Sequence, residues 1–363
     1  MDDLDRAAIE AAITDYDDTE LGARLLESGS LKSLRIDGRQ VHAQLQLGFP
    51  CASRRHHFET AVRERIQAAG ASSADIHVEV EIVSHAVQRN LKPVNNIKNI
   101  VAVASGKGGV GKSTVAVNLA LALAQEGARI GLLDADIYGP SQPRMLGLSG
   151  QRPASRDGKS VEPMQAYGVE CMSIGFLIDE EQPMIWRGPM VVNALTQIMR
   201  DTRWGALDYL IVDMPPGTGD TQLHVSQNIP VSGVVIVTTP QDIALLDARR
   251  GLKMFQKVNV AILGIVENMS THVCSNCGHA EQIFGEGGGE RLAAQYSVPF
   301  LGSLPLDIRI REQADSGRPT VVADPTGAIA ESYRAIARRA TARLAHASKD
   351  YSRLFPKIVI EET

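Results

Sequence analysis

One nine-residue stretch, GKGGVGKST at residues 106–114, constrains the fold more than any other part of this 363-residue chain. It follows a short run rich in β-branched residues, at 100–104, and precedes a longer alanine- and leucine-rich run, at 115–124. The first run is typical of a buried parallel strand and the second of a helix. The glycine-rich turn between them fits the pattern GxxxxGK[ST] of loops that bind nucleoside triphosphates. We therefore predict a triphosphate site in a strand–loop–helix unit.

Each position of this loop has a predicted role. Glycines let successive backbone N–H groups curve around phosphate oxygens without Cβ clashes, and the helix N-terminus adds the positive end of its dipole. Lys112 is expected to reach the β- and γ-phosphates, and the Ser113 hydroxyl to ligate Mg²⁺. On spacing alone, Lys107 is a solvated lysine at a variable position. The predicted nucleotide-binding residues of the loop are Gly106, Lys107, Gly108, Gly109, Val110, Gly111, Lys112, Ser113 and Thr114.

Acidic residues close two further apolar runs. The run at 129–136 ends on Asp134 and Asp136, and the run at 207–213 ends on Asp213. Ligands of open α/β sheets bind beyond the carboxyl ends of the strands, where these acids are expected to lie. We predict that Asp136 positions or deprotonates the attacking water and that Asp213 serves Mg²⁺. Asp134 either reaches the metal through water or caps the following turn.

Two later segments add candidate nucleotide contacts. The proline- and glycine-rich loop at 214–220 suits γ-phosphate sensing through the backbone N–H of Gly217. Asn268, at the end of a predicted strand, is placed either to hydrogen-bond a purine base or to act as a turn residue. Strands that alternate with helices predict an α/β fold, a doubly wound, mostly parallel sheet in a P-loop NTPase domain. We assign this domain to residues 98–347 and a tail to residues 348–363.

Residues 1–90 have the pattern of a separate small α+β domain, followed by a turn-rich linker at 91–97. The expected elements are helices at 5–16 and 53–69, a β-hairpin at 31–47 and a third strand at 76–82. Ser53 is a candidate N-cap of the second helix. Cys51 is either a reactive thiol at a helix N-terminus or a small side chain at a turn.

A single C-x-x-C pair, Cys274 and Cys277, supplies half of a tetrahedral metal site. His272 or His279 could complete an intrachain zinc site. A thioredoxin-like dithiol would need the motif at the start of a helix, which Gly278 does not favour. A two-fold dimer would instead bring four thiolates to one shared cluster. The residues alone leave structural zinc and a shared cluster open.

Bulk properties exclude several classes of partner. The net charge of −5 gives no electrostatic basis for nucleic-acid binding, and no apolar run is long enough to span a membrane. The N-terminus lacks the layout of a secretion signal, so we expect a cytoplasmic protein. A predicted helix near the carboxyl end carries an alanine-rich apolar stripe, which favours docking on the sheet over membrane binding. Its basic residues, largely off that stripe, are Arg334, Arg338, Arg339 and Arg343.

Several motifs together carry a family resemblance: GKGGVGKST, LLDADIYGPS, WRGPM, LIVDMPPGTGD, TTPQDIALLDARRG and CSNCG. The chain resembles the Mrp/ApbC-type ATPases that carry iron–sulfur clusters, within the wider group of MinD, ParA and the nitrogenase iron protein. The resemblance covers roughly residues 98–345. The first ninety residues resemble the small iron–sulfur assembly domain that is often fused upstream.

The resemblance implies roles for individual residues. Lys107 would cross a homodimer interface to the partner's phosphates, which makes Lys107, Lys112 and Asp136 the expected catalytic residues. Asp213 would be the metal-side acid. Cys274 and Cys277 would hold a [4Fe–4S] cluster that bridges the dimer.

The expected cofactors are therefore ATP, Mg²⁺ and the cluster, and the expected partners are a second copy, apo iron–sulfur proteins and assembly factors. Two rival functions remain: a MinD/ParA-like positioning or partitioning ATPase, for which the cysteine pair would be dispensable, and a zinc-stabilised regulatory ATPase.

Overall fold

The computed structural model describes residues 4–24, 26, 29–88, 91–177, 188–274 and 276–347. The strands are β1 Asp17–Asp18, β2 Ala23–Arg24, β3 Leu31–Asp37, β4 Gln40–Leu47, β5 Ser73–Val80, β6 Ile97–Ala104, β7 Ile130–Asp134, β8 Met164–Ala166, β9 Val169–Ser173, β10 Leu207–Asp213, β11 Gly233–Thr238, β12 Ile262–Glu267, β13 His272–Val273, β14 Ala280–Glu281 and β15 Phe300–Ser303. The helices are α1 Arg6–Thr14, α2 Arg55–Ala68, α3 Lys112–Gln125, α4 Gln142–Met145, α5 Gly188–Asp201, α6 Asp220–Asn228, α7 Asp242–Lys257, α8 Gly288–Tyr296, α9 Ile308–Asp315, α10 Thr320–Ala323 and α11 Ala328–Ala345.

A large, mostly parallel sheet organises the greater part of the chain. Its strand order is β15-β12-β11-β6-β10-β7-β9-β8, and only the β8–β9 pair is antiparallel. The sheet extends from β6 in both directions, with β10 on one side and β11 on the other. Helices flank the sheet, which confirms the predicted doubly wound α/β class.

The register of the central strands brings their carboxyl ends together. Asp213 at the end of β10 lies opposite both Val103 of β6 and Asp134 of β7. The predicted strand and helix around the glycine-rich loop are confirmed, although α3 begins at Lys112 rather than at residue 115. Ten of the fourteen residues of α3 are buried, so this helix anchors the loop to the core.

A carboxylate at the start of β10 ties three of these strands together. Asp208 accepts hydrogen bonds from the Arg129 guanidinium at 2.9 and 3.1 Å and from the Arg129 backbone N–H at 3.0 Å. Lys98 of β6 forms an ion pair with it at 2.9 Å. Burial opposes the charged form, but these bonds outweigh it and lower the pKa of Asp208 to about 2.

The replacement Asp208→Asn is therefore expected to lower the free energy of unfolding at pH 7 by about 1–2 kcal/mol. Because the folded pKa is depressed, this contribution is present above an unfolded pKa near 3.9 and is lost as the pH falls through about 2. Urea unfolding should show that the difference from the wild type shrinks by about half near pH 3. The exposed Asp75, replaced by asparagine, is the control, and a difference for Asp208→Asn that stays constant with pH would contradict the assignment.

The first part of the chain forms a small α+β unit, as predicted. Strand β4 pairs with β3 antiparallel and with β5 in parallel, and α1 and α2 pack around a separate hydrophobic core.

Burial raises the pKa of the Cys51 thiol to about 12, so the reactive-thiol alternative is wrong. Ser53 does not cap α2; its hydroxyl donates to the Glu126 carboxylate at 2.6 Å.

Helix α11 packs on the sheet, as its alanine-rich stripe predicts, and it also packs on the small unit. Its Tyr333 belongs to the sheet core, whereas Ala342 and Ala345 belong to the core of the small unit. Arg338, which lies off the apolar stripe, is nevertheless 0 % exposed, because it is enclosed between Glu20 of the small unit and Glu126 after α3. Among the helices of the described residues, none combines the length and the hydropathy that a membrane-spanning segment requires.

Candidate functional site

The glycine-rich loop is shaped by packing as well as by its φ angles. Gly109 and Gly111 both adopt φ near 81°, which favours glycine. A Cβ on Gly106 would lie 2.1 Å from the carbonyl carbon of Asp247, and one on Gly111 would lie 2.3 Å from the Asn268 amide nitrogen. The neighbouring loop residues Lys107, Gly108 and Gly109 are exposed. The loop therefore rests on the protein at two glycines and presents the backbone between them to solvent.

The loop lysine is paired with a carboxylate rather than pointing into solvent. Lys112 Nζ forms an ion pair with Asp213 Oδ1, and it lies 3.2 Å from the Ser113 hydroxyl and 3.9 Å from Asp136 Oδ2. Its side chain is only 6 % exposed. A phosphate that recruits Lys112 would therefore compete with Asp213 for its ammonium group.

Sequence reasoning missed one buried residue of this network. Gln142 Nε2 donates to Asp213 Oδ2 at 2.8 Å and to the Ser113 carbonyl at 3.1 Å. The residue is fully buried. No local pattern marks it, because its partners lie 71 and 29 residues away along the chain.

Of the two roles predicted for Asp134, a metal contact through water and a cap of the following turn, the structure shows the cap. Its carboxylate accepts hydrogen bonds from the backbone N–H groups of Asp136, Ser141 and Gln142. It also accepts one from the Ser173 hydroxyl at 3.1 Å. Burial, together with the nearby Asp213 charge, raises the pKa of Asp134. With this many protein donors, Asp134 caps the turn that follows β7.

Asp136 keeps an accessible edge, with 13 % of its side chain exposed. Burial raises its pKa, and the Lys112 charge partly offsets that effect. A carboxylate with a raised pKa beside the phosphate loop fits the predicted role in positioning or deprotonating water.

The remaining predicted nucleotide contacts all lie at this edge of the sheet. Gly217 donates its N–H to the Ser105 carbonyl at 3.2 Å, so γ-phosphate sensing would require that bond to be exchanged. Asn268 Nδ2 donates to the Val110 carbonyl at 2.9 Å, which links β12 to the loop; its contact with a base stays a prediction. Lys107 is exposed and makes no ion pair within the described ranges.

The oxygen groups beside Lys112 suit a magnesium ion. Mg²⁺ prefers hard oxygen ligands and retains several waters, and the Ser113 hydroxyl and the Asp213 carboxylate both lie within hydrogen-bonding distance of the Lys112 ammonium group. Gln142 Oε1 is buried and accepts no hydrogen bond from the described part of the chain. These groups fit Mg²⁺ with its water shell.

The cysteine pair lies on a short hairpin at the same carboxyl edge. Strands β13 and β14 pair antiparallel, and Cys274 is partly exposed while Cys277 is exposed. The pKa of Cys274 is lowered by hydrogen bonds to its sulfur from the backbone N–H groups of Cys277 and Asn276. The thiolate is the form of cysteine that binds metals, and metal binding by this hairpin stays a prediction.

The histidines do not complete a metal site around these sulfurs. His272 Nδ1 donates to the Leu306 carbonyl at 3.0 Å, and His279 is exposed. No group of three or more His, Cys, Asp or Glu side chains in the described residues is placed to hold a metal ion. Within the described residues the hairpin therefore presents two thiol groups and no further ligand.

Family models match both parts of the chain. The model for NUBPL iron-transfer P-loop NTPases matches residues 96–341. The model for iron–sulfur cluster assembly proteins matches residues 6–80.

Similar proteins extend over most of the sequence. The iron–sulfur cluster carrier protein of Escherichia coli strain K12 is 48 % identical over 93 % of this chain and 92 % of its own length. That of Pseudomonas fragi is 61 % identical over 74 % of this chain and 94 % of its own length. The iron–sulfur cluster transfer protein NUBPL of Mus musculus is 52 % identical over 70 % of this chain and 80 % of its own length.

Solved structures resemble the sheet-containing part. A nucleotide-binding protein from Archaeoglobus fulgidus, in complex with ADP, has a TM-score of 0.56 and 38 % identity over 64 % of this chain and 90 % of its own. The cell-division ATPase MinD from Pyrococcus furiosus has a TM-score of 0.51 and 22 % identity over 66 % of this chain and 97 % of its own, which concerns the fold alone.

Proposed function

Because this chain belongs to the NUBPL-type family of iron-transfer P-loop NTPases, we propose that it carries an iron–sulfur cluster between two copies of itself and transfers it to apo-proteins. The chain is an ATPase of the iron–sulfur cluster carrier type. In this proposal the cluster lies between the two copies of a homodimer, and ATP binding and hydrolysis control its retention.

One observation carries the proposal: an exposed hairpin presents two thiols, half of a cluster's usual ligand set. Backbone N–H groups favour the thiolate form of Cys274. A two-fold axis close to the hairpin would supply the other two sulfurs from Cys274 and Cys277 of a second copy. The exposure of Cys277 would leave the cluster accessible to an acceptor protein.

Exposed apolar side chains around this edge support the homodimer. They follow the carboxyl ends of β7, β11, β12 and β15, where the phosphate loop and the hairpin also lie. A contiguous exposed apolar patch is typical of an interaction surface, and the homodimer proposal requires these side chains to form one. They are Tyr138, Ile243, Leu246, Val273, Ile283 and Ile308, each at least 46 % exposed.

ATP hydrolysis at this site would depend on positioning and electrostatics. Lys112 would leave Asp213 for the β- and γ-phosphates, and Asp136 would orient the attacking water. Ser113 and Asp213 would hold Mg²⁺, which neutralises phosphate charge when bound. Lys107 from the partner copy would complete the site.

The coupling between nucleotide and cluster would use contacts next to the loop. The Gly217 N–H would exchange the Ser105 carbonyl for the γ-phosphate, and the loop at Asp136 would change with it. Asn268, six residues before Cys274, bonds directly to the phosphate loop. We expect nucleotide state to alter the dimer and the retention of the cluster through these segments.

Anaerobic reconstitution with iron and sulfide tests the proposal. The wild type should bind about two iron atoms per chain, as one [4Fe–4S] cluster per dimer, and should activate an apo-protein that depends on a cluster. Cys277→Ala should bind at least about tenfold less iron, because it removes two of the four ligands in the dimer. Iron and sulfide analysis measures the cluster content of the wild type and of Cys277→Ala, and size-exclusion chromatography measures dimer formation.

Cys51→Ala is the matched control, since this thiol is buried in the small unit and should not affect iron uptake. Iron binding by Cys277→Ala equal to that of the wild type would refute the cluster site. Uptake of zinc alone would favour the regulatory ATPase. Normal Mg²⁺-dependent ATP hydrolysis by a wild type that binds neither iron nor zinc would favour a positioning ATPase.

A further inference from the structure

We infer that Gln142 is a positioning residue that holds the Asp213 carboxylate in place while Lys112 moves from that carboxylate to bound phosphate. The inference rests on the proposed Mg²⁺ site at Ser113 and Asp213. It assigns to this side chain a role in how tightly Mg²⁺ binds beside the nucleotide.

The side-chain amide of Gln142 joins the two residues of that site. Its NH₂ group has two hydrogens, and its acceptors are Asp213 Oδ2 at 2.8 Å and the Ser113 carbonyl at 3.1 Å. One planar group thereby sets the separation between the carboxyl end of β10 and the first turn of α3.

The backbone of Gln142 is fixed independently of its side chain. Its N–H donates to Asp134 Oδ2 at 3.1 Å, and its carbonyl accepts the N–H of Leu146 at 3.0 Å. Asp134 also holds the adjacent Ser141 N–H at 3.0 Å. A side chain on an anchored backbone keeps its geometry when the loop around Asp136 rearranges.

Asp213 needs such a partner once Lys112 leaves. Its side chain is 0 % exposed, and the described side chains that hydrogen-bond to it are those of Lys112 and Gln142. A buried carboxylate without a partner is strongly disfavoured, so losing both hydrogen bonds would let it rotate away from the metal site. The Gln142 amide maintains one oxygen in a hydrogen bond and leaves the other for the metal.

The carbonyl oxygen of the Gln142 amide, Oε1, also supports a role at the Mg²⁺ site. Gln142 Oε1 is buried, yet it accepts no hydrogen bond from any residue that the structure describes. Buried acceptors normally have a donor, and the waters that Mg²⁺ retains are donors. Gln142 thus offers one donor pair to the protein ligands and one acceptor to a metal-bound water.

The replacement Gln142→Met keeps the length of the side chain and removes its hydrogen bonds. A fluorescent ADP analogue measures nucleotide affinity first in EDTA and then during titration with Mg²⁺. We expect the Mg²⁺-free affinity to stay within about twofold, and the half-saturating Mg²⁺ concentration to rise about tenfold, the effect of one hydrogen bond to a charged group. High Mg²⁺ should restore most of the ATP turnover.

Gln125→Met is the matched control, because the Gln125 amide donates to the Val321 carbonyl at the far end of α3. An unchanged Mg²⁺ requirement in Gln142→Met would overturn the inference. Loss of Mg²⁺-free binding as well would also overturn it, since Gln142 would then support the whole loop. Ser113→Ala distinguishes failure of the proposed metal site from failure of the role of Gln142. If Ser113→Ala leaves the Mg²⁺ requirement unchanged, the proposed metal site is wrong. If Ser113→Ala raises the Mg²⁺ requirement and Gln142→Met does not, only the role of Gln142 is wrong.

Discussion

Replacement of Lys107 by alanine is expected to lower ATP turnover at least about 100-fold while nucleotide affinity changes by less than about threefold. Lys107 is exposed on the phosphate loop and makes no ion pair in the part of the chain described. Its backbone is held by the Ser105 hydroxyl, which donates to the Lys107 carbonyl at 2.9 Å. Lys112 already occupies the inner side of the loop, so Lys107 is free to act on a second nucleotide across a dimer.

Mixing two inactive variants tests whether this lysine acts across the dimer. A Lys107→Ala copy retains Lys112, and a Lys112→Ala copy retains Lys107, so a mixed dimer contains one complete site. Equal mixing should restore about a quarter of the wild-type turnover, because about half of the dimers are mixed and each has one working site. Single-turnover and steady-state assays on the mixtures measure this recovery.

Lys257→Ala is the control, since it removes an exposed lysine at the carboxyl end of α7. No recovery on mixing would mean that Lys107 acts within its own subunit. If ATP turnover by Lys107→Ala is close to that of the wild type, Lys107 is a solvated lysine without a catalytic role.

Arg338→Met is expected to lower the free energy of unfolding by about 3–5 kcal/mol, the cost of breaking a buried ionic network. The Arg338 guanidinium pairs with Glu126 at 2.6 Å and with Glu20 and Glu331 at 2.7 Å. Glu20 belongs to the small unit, whereas Glu126 directly follows the helix that begins at Lys112. Removing the arginine would leave the fully buried Glu126 carboxylate without its cation.

Urea unfolding of matched variants measures this effect. Arg343→Met on the same helix is the control, because its guanidinium is exposed and donates to the Gly22 carbonyl; it should cost less than about 1 kcal/mol. The double variant Arg338→Met, Glu126→Gln should regain part of the loss, since it removes the stranded charge. A cost below about 1 kcal/mol for Arg338→Met would show that the network contributes little net stability.

Local patterns explain why much of the site could be predicted. The strand, loop and helix around Lys112 are contiguous, so β-branched residues, glycines and an alanine-rich run suffice to indicate them. The strand that ends on Asp213, and the one that ends just before Asn268, are indicated in the same way. The spacing of Cys274 and Cys277 marks a thiol pair, but the hairpin that carries the pair does not follow from the sequence.

Contacts between distant residues explain what could not be predicted. The sequence leaves two roles open for Asp134, and its hydrogen bonds with the turn that contains Ser141 decide between them. Gln142 carries no motif, and its role follows only from its hydrogen bond to Asp213. The family resemblance supplied the roles of Lys107 and the shared cluster, and these stay predictions.

Local sequence patterns are enough to establish a triphosphate loop on a parallel α/β sheet, a small α+β unit before it and a C-x-x-C pair after it. Those features depend on neighbouring residues, whose periodicity and spacing can be read directly. The burial of polar groups against one another, such as Gln142 with Asp213 and Arg338 with Glu126, follows only from the folded structure. Burial makes each of these groups require a partner, and the fold supplies that partner from residues 71 and 212 positions away.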